Sequence, residues 1–212
     1  MSKVESESES LAARLLGGDP GALEGLFLRH RKRLRAMVEL RLDWMLRGRI
    51  DASDVLQDSY LDLVNRVDAY LRDPRVPPFL WLRLVVGERL INLHRHHLGA
   101  KMRDPAREVS LYRGAMPEAS SAALAAQLLG RHASPSEAAI RAERTLKLQE
   151  ALNALDPIDR EVLALRHFEQ LSRGETAQVL GITKEAAAKR YVRALKRLKT
   201  TLAALPGGID GV

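Results

Sequence analysis

Apolar side chains recur every three or four residues along most of the chain, and this spacing predicts helices. The first apolar stripe follows Asp19 and Pro20 and continues to Gly48. We predict one long helix over this stretch, with Asp19 as its cap and Pro20 at its first position. A second stripe opens at Asp51 and predicts another helix that reaches Tyr70.

A proline-rich break separates the second stripe from a third. Residues 73–77, DPRVP, interrupt the periodic pattern, so we expect a stiff loop there. Pro78 suits the first position of the next helix, and Gly99 suits its end. We expect the aromatic residues Phe79 and Trp81 of this helix in the core rather than on a base-stacking surface.

Residues 109–136 are richer in Ala, Ser, Pro and Gly than their surroundings, and we interpret them as a linker. They leave room for a short helix from Glu118 to Leu129, and Ser136 is expected to cap the helix that follows. The predicted organisation is therefore a disordered N-terminus at 1–10, an N-terminal domain at 11–108, the linker, a C-terminal helix-turn-helix domain at 137–204 and a tail at 205–212.

The stretch from Ser172 to Lys199 has the pattern of two helices joined by a sharp turn. Ser172 suits the N-cap of the first helix, because its hydroxyl can accept a hydrogen bond from an unpaired backbone N–H. Gly181 can adopt the positive φ that a helix C-terminus favours, and Thr183 can cap the second helix. This arrangement is typical of DNA-binding helix-turn-helix units.

The second helix of this pair is strongly basic. It carries seven Lys and Arg residues against the single acid Glu185, a local charge of +6, in a chain of net charge +7. A basic solvated face is an alternative. In the functional interpretation the N-terminal residues of this helix lie at base edges in the DNA major groove, and its later Arg and Lys residues bind phosphates.

An acidic stripe lies on the helix that opens at Asp51. Asp54, Asp58 and Asp62 follow one another at four-residue spacing, and residues 51–73 carry a local charge of −4. From periodicity alone, an ordinary solvated face is the favoured explanation of this pattern, and a binding surface is the alternative. An acidic face repels DNA phosphates, so any partner of this face should be a basic protein surface.

The chain has no cysteine, which excludes disulfides and thiol catalysis. Its serine-rich, acidic N-terminus is unlike a signal peptide, and its apolar runs are short for a membrane span. We therefore expect a soluble, cytoplasmic protein without membrane insertion. A histidine cluster at 94–97 is better explained as a polar helix end than as a metal site, because ligands at suitable spacing are missing from the sequence around it.

Two motifs resemble those of sigma factors of the extracytoplasmic-function (ECF) group, within the sigma-70 family. The first is D-A-x-D-x-x-Q-D/E-x-F/Y, matched at Asp51, Ala52, Asp54, Gln57, Asp58 and Tyr60. The second is L-x-P-x-x-R-E-V-x-x-L, matched at Leu155, Pro157, Arg160, Glu161, Val162 and Leu165, and QLSRGETAQVLGIT after it resembles the family's E-G-L-S-x-x-E-I-A-x-x-L-G-I-S. The resemblance spans about residues 11–204 and is similar in particular to planctomycete members.

The resemblance implies an all-α protein of two small helical domains joined by a flexible linker, with no catalytic residues, cofactor or metal. Its implied partners are core RNA polymerase, through the β′ clamp helices and the β flap, and promoter DNA; an anti-sigma factor is left open as a third. The core-binding residues would be Asp51, Asp54, Gln57, Asp58, Leu61 and Asp62. The residues at the −10 element would be Arg72, Asp73, Arg75, Arg83, Arg89 and Arg95. The residues at the −35 element would be Ser172, Arg173, Thr183, Lys184, Glu185, Ala186, Lys189, Arg190 and Arg193.

The chain departs from the family pattern in both DNA-contacting parts. Gly87 and Glu88 stand where many members have an Arg-Asn pair, and residues 185–190 share only their final arginine with the common G-T-V-K-S-R. The preferred promoter sequence therefore does not follow from the resemblance. Two other function classes are weighed beside it. A helix-turn-helix regulator that binds DNA alone would leave the acidic helix unused, and a metal-dependent nuclease would need acidic residues beside the DNA-binding ones.

Overall fold

The computed structural model of the protein describes residues 3–98, 116–129 and 138–203, and within these ranges the chain forms helices and turns but no strand. The expected all-α class is confirmed. The elements are α1 (Lys3–Leu16), α2 (Ala22–Arg41), α3 (Ala52–Arg72), α4 (Pro78–Leu98), α5 (Ser121–Leu128), α6 (Ala138–Asn153), α7 (Pro157–Leu163), a π-helical turn (Ala164–Phe168), α8 (Arg173–Leu180) and α9 (Lys184–Ala203).

The chain divides into two compact units, and the division falls between Met116 and Pro117. In the first unit α2, α3 and α4 pack against one another, and α1 packs on α2 and α4. Their apolar stripes meet in a core that excludes water from fully buried leucines such as Leu34, Leu63 and Leu82. Burying such a side chain contributes about 1.5–3 kcal/mol.

Residues 3–10 were expected to be disordered, and this is wrong because they lie in α1. Two contacts tie this helix to α2: the Arg29–Glu7 ion pair at 3.5 Å and a hydrogen bond of 2.9 Å between Ser8 Oγ and His30 Nε2. Leu15 of α1 is fully buried. The low apolar content of the first ten residues hid these contacts.

The predicted long helix from Pro20 to Gly48 is also wrong at both ends. The helix α2 begins only at Ala22, because the Asp19 carboxylate pairs with Arg14 at 2.7 Å and accepts a hydrogen bond from Gly21 N in the turn after α1. It ends at Arg41, where Leu42 adopts an extended conformation. The end of the apolar stripe therefore lies in a loop.

The second unit contains α5 to α9, and α5 lies inside the segment that we predicted to be a linker. It packs on α6 through side chains that include the fully buried Leu124. Just before it, Glu118 pairs with Arg160 at 3.0 Å, and Ala119 N donates to the Glu161 carboxylate at 3.3 Å. Residues 109–115, 130–136 and 205–212 of the predicted linker and tail, the Gly99 helix end and the Ser136 cap lie outside the described residues.

The π-helical turn links α7 to the segment that leads into α8. The hydrogen bond that defines this turn spans five residues, from Glu169 N to Ala164 O at 3.0 Å. Just after it, Leu171 N donates to Leu165 O at 2.9 Å. The Arg166 guanidinium donates to the Leu171 carbonyl oxygen and fixes the end of this connection. The start of α8 is thereby anchored to α7.

Candidate nucleic-acid and protein interfaces

The helix pair α8–α9 has the caps that we predicted. Ser172 Oγ accepts from Glu175 N at 3.1 Å, and the Glu175 carboxylate accepts from Ser172 N at 2.7 Å, which forms a complete capping box. Gly181 takes the left-handed conformation, with φ of 62°. Thr183 Oγ1 accepts from Ala186 N at 3.1 Å and caps α9. The sharp turn between the two helices is therefore set by local chemistry.

Two arginines of α9 bind one carboxylate of α7. Arg190 Nη1 donates to Asp159 Oδ1 at 2.7 Å, and Arg193 donates through Nε and Nη2 to both oxygens at 2.8 Å. The Asp159 side chain is fully buried, whereas that of Arg193 is 50% exposed. Burial alone would raise the pKa of Asp159, but the hydrogen bonds from Arg193 and Arg190 outweigh it and hold this pKa below its ordinary value.

This cluster changes the expectation for Arg190, which we predicted as a phosphate ligand. Its side chain is only 27% exposed, pairs with Asp159 and lies 3.7 Å from Asp156. Arg190 therefore holds α9 against α7. Sequence reasoning missed Asp159; an acid at the N-terminus of α7 together with two arginines one turn apart on α9 was the available signal.

The other predicted −35 residues lie mostly on the surface. Ser172, Arg173, Thr183, Lys184, Glu185 and Lys189 are exposed, and Ala186 is half-buried. The hydroxyls of Ser172 and Thr183 are engaged in caps. A shallow groove along α9 has cations on its rim and small residues between them; it is lined by Ala188, Lys189, Val192, Arg193, Lys196 and Arg197. This groove is the basic surface of the second unit.

The acidic helix α3 starts with a capping box of its own. The Asp51 carboxylate accepts from the backbone N–H of Ser53 and, at 3.0 Å, from that of Asp54. The Asp54 carboxylate accepts from Asp51 N at 3.0 Å. The hydrogen bonds that the Asp51 carboxylate accepts from Asp54 N and Ser53 N are the main reason why the pKa of Asp51 lies below its ordinary value. Both residues are exposed but take part in starting the helix.

Further along α3 the acidic stripe is partly neutralised. Arg89 of α4 forms an ion pair with Asp58 and lies 3.9 Å from Asp62. Both aspartates are half-buried at the seam between the two helices. Arg89, which we predicted at the −10 element, is therefore engaged with the predicted core-binding residues.

The face of α3 that is directed away from α4 presents Gln57 and Leu61. Gln57 is exposed, and Leu61 is 62% exposed. A groove beside them, between α2 and α3, is lined among others by Phe27, Leu28 and Tyr60. An exposed leucine at the edge of an apolar groove is the kind of surface that a partner helix covers.

Apart from Arg89, the predicted −10 residues fall into two groups. Arg72, Asp73, Arg75 and Arg95 are exposed, and Arg75 pairs with Asp73 at 2.6 Å. Arg83 is only 2% exposed, and its position in the core makes the prediction of a DNA contact wrong. The helical period explains the difference, because Arg83 lies on the buried face of α4.

Aromatic residues shape the loop after α3. The Tyr70 hydroxyl donates to the Val76 carbonyl oxygen at 2.8 Å, and the Tyr70 ring stacks on Trp81 with centroids 4.3 Å apart. Phe79 packs against the His30 ring at 4.6 Å. Phe79 and Trp81 are buried, so their assignment to the core is confirmed.

Two histidines of the first unit are buried. His94, the first histidine of the 94–97 cluster, accepts a hydrogen bond from Asp43 N at 3.3 Å. Burial lowers the pKa of His30 to about 4, and the nearby Arg33 and Arg29 charges act in the same direction. Across residues 3–98, 116–129 and 138–203, no cluster of three or more His, Asp or Glu side chains could hold a metal ion. In the same ranges no helix combines the length and apolarity needed to cross a membrane.

Comparison with known proteins places these interfaces in context. Residues 145–198, which include α7, α8 and most of α9, match the family described as Sigma-70, region 4. The chain is 29% identical over 196 residues to the ECF RNA polymerase sigma factor SigD of Mycobacterium tuberculosis, which covers 92% of this chain and 84% of the relative. It is 26% identical over 197 residues to the RNA polymerase sigma factor NccH of Alcaligenes xylosoxydans xylosoxydans, over 93% of this chain and 95% of the relative.

A solved structure supports the fold independently. The structure of CnrH in complex with the cytosolic domain of CnrY superposes with a TM-score of 0.51 at 23% identity, over 93% of this chain and 98% of that chain. The similarity to planctomycete members stays a prediction.

Proposed function

This chain is a sigma factor of the ECF group in the sigma-70 family, and on that premise we propose that it binds core RNA polymerase and directs it to specific promoters. The observation that carries the proposal is the pairing of two surfaces in one chain. A capped helix-turn-helix with a basic groove suits DNA, and an acidic helix with an exposed leucine suits a basic protein surface. A protein that only binds DNA has no use for the second surface.

We propose that Gln57 and Leu61 form the centre of the contact with the β′ clamp helices. The acidic residues that we predicted for this contact are partly committed, since Asp51 and Asp54 cap α3 and Asp58 pairs with Arg89. Leu61 is exposed and borders the apolar groove between α2 and α3. Covering the exposed part of Leu61 removes apolar surface from water and so favours binding. The surrounding carboxylates then select a basic partner and speed its association.

We propose that promoter DNA meets both units. Lys184, Glu185 and Lys189 are exposed at the start of α9 and are suited to the −35 element. In the first unit, the loop after α3 is suited to the melted −10 strand. Arg72 ends α3, Arg75 lies in the loop, and Arg95 lies in the last turn of α4. A base captured there would repay its unstacking cost of a few kcal/mol through stacking and hydrogen bonds.

A substitution of Leu61 tests the central contact. We expect Leu61→Arg to weaken binding to core polymerase at least about tenfold, or ~1.4 kcal/mol, because it places a cation against a basic surface and removes the apolar contact. The matched control is Leu16→Arg on α1, since Leu16 is also an exposed leucine of the first unit, at 48%. Affinity is measured by co-purification with tagged core enzyme and by transcription from promoters selected with the holoenzyme.

Two outcomes contradict the proposal. Equal binding of core by both variants would remove α3 from the contact. Failure of the unaltered chain to bind core, together with sequence-specific binding to duplex DNA on its own, would favour a stand-alone helix-turn-helix regulator.

A further inference from the structure

The buried carboxylate of Asp159 engages only part of the Arg193 side chain. Arg193 donates through Nε and Nη2, which together form one edge of the planar guanidinium. The same side chain is 50% exposed. Because a guanidinium is rigid and planar, fixing one edge also fixes the direction of the opposite edge.

The exposed part of Arg193 belongs to the basic groove of α9. Lys189 and Lys196 line the same groove, and both are exposed. A guanidinium that joins this rim can offer charge-assisted hydrogen bonds to a phosphate while its inner edge stays on Asp159.

We infer that Asp159 is a positioning residue for DNA: it never touches the nucleic acid, but it orients Arg193 toward a backbone phosphate. The inference rests on the part of the proposed function that places DNA on α9. It does not require core polymerase or a particular promoter. Arg190 supports the arrangement, because it holds the Asp159 Oδ1 atom from the other side at 2.7 Å.

The direction in which Asp159→Asn changes the affinity for DNA separates a positioning role from simple electrostatics. Asp159→Asn removes a negative charge close to the DNA-binding surface, so electrostatics alone predicts tighter binding to DNA. A positioning role predicts weaker binding, because the asparagine amide has only one acceptor oxygen and an NH2 group in place of the other, so Arg193 loses its fixed orientation. A merely structural role predicts a lower melting temperature with unchanged affinity of the folded protein.

The first measurement uses the full chain and a fluorescein-labelled, mixed-sequence DNA duplex, since a phosphate contact is independent of base sequence. Dissociation constants are determined over a series of salt concentrations at a temperature where circular dichroism shows each variant folded. We expect Asp159→Asn to bind about tenfold more weakly, the loss of roughly one charge-assisted hydrogen bond. Equal or tighter binding would overturn the inference.

Asp156→Asn is the matched control. Asp156 lies 3.7 Å from Arg190 and caps α7, and Asn is as good an N-cap as Asp. This variant removes the same charge from the same end of α7 but leaves both Arg193 hydrogen bonds in place. We expect its affinity to be equal to that of the unaltered chain or slightly higher. A tenfold loss here as well would show a non-specific effect and overturn the inference.

Arg193→Lys provides a second test, which remains valid even if the Asp159→Asn variant does not fold. Lysine keeps the charge but lacks the planar fork, so we expect weaker binding, with a reduction similar to that of Asp159→Asn. In the double variant the two losses should not add, because both break the same oriented contact. Unchanged affinity of Arg193→Lys, or full additivity, would overturn the inference. Loss of core polymerase binding is not an outcome of these measurements, so failure of the sigma-factor proposal remains distinguishable.

Discussion

His30 shows how a single buried residue makes the stability of the first unit depend on pH. It lies in contact with Ser8 of α1, with Arg33 on its own helix and with Phe79 of α4. Burial and the arginine charges lower its pKa to about 4, compared with 6.5 for an unperturbed histidine. The folded state therefore holds His30 neutral under conditions in which the unfolded chain protonates it.

Stability of the first unit should fall as the pH drops from 6.5 toward 4. The unfolded state binds the proton more readily, so the stabilisation is complete above pH 6.5 and is lost at up to about 1.4 kcal/mol per pH unit below it. Urea unfolding at several pH values measures this slope. His30→Gln should flatten it, whereas the exposed His96→Gln should leave it unchanged. The comparison between variants is needed because buried His94 also has a lowered pKa and contributes with the same sign. An unaltered slope in His30→Gln would contradict the assignment.

At the scale of the helix, most caps were predictable from the sequence, whereas the internal partners of charged side chains were not. The caps at Ser172 and Thr183 follow from residue types at fixed spacing, and the structure confirms them. The cap predicted at Asp19 is wrong, because Asp19 pairs with Arg14 in the turn before α2. The roles of Arg83 and Arg190 depend on which neighbours the fold brings to them, and the sequence assigned both to DNA. A cationic side chain in a basic protein has no local signature that separates a phosphate contact from an internal ion pair.

The capping box of α3 limits which substitutions can test core binding. Asp54→Arg removes the carboxylate that accepts from Asp51 N and places a cation at the positive end of the helix. We expect it to lower the free energy of unfolding by about 1–2 kcal/mol. Asp68→Arg serves as the control, since Asp68 is exposed near the other end of α3, where a cation suits the helix dipole. Thermal melting measures the difference, and equal stability of the two variants would show that the cap contributes little.

At the scale of the whole molecule, the position of α5 moves the boundary of the C-terminal domain. A fragment of residues 117–204 keeps α5 with its buried Leu124 and the Glu118–Arg160 ion pair, whereas a fragment of residues 137–204 loses both. We expect the shorter fragment to be less stable by at least about 1.5–3 kcal/mol, the contribution of the buried leucine alone. Comparing urea midpoints of the two fragments checks this, and equal midpoints would restore the boundary at 137. The sequence predicted a helix in this segment but not its packing on α6, because alanines and serines pack closely without a strong apolar signal.

The π-helical turn at Ala164–Phe168 bears on how such chains change length during evolution. A π turn holds one residue more than the α turn that it replaces, so it has the form of an absorbed single-residue insertion. Deleting one residue there would restore regular hydrogen bonding and leave the downstream helices facing the same way. Deleting one residue from a regular turn of α7 would instead rotate everything downstream by about 100° around the helix axis and carry α9 away from the Asp159 carboxylate. Gains and losses of single residues should therefore be better tolerated in this π turn than in α7.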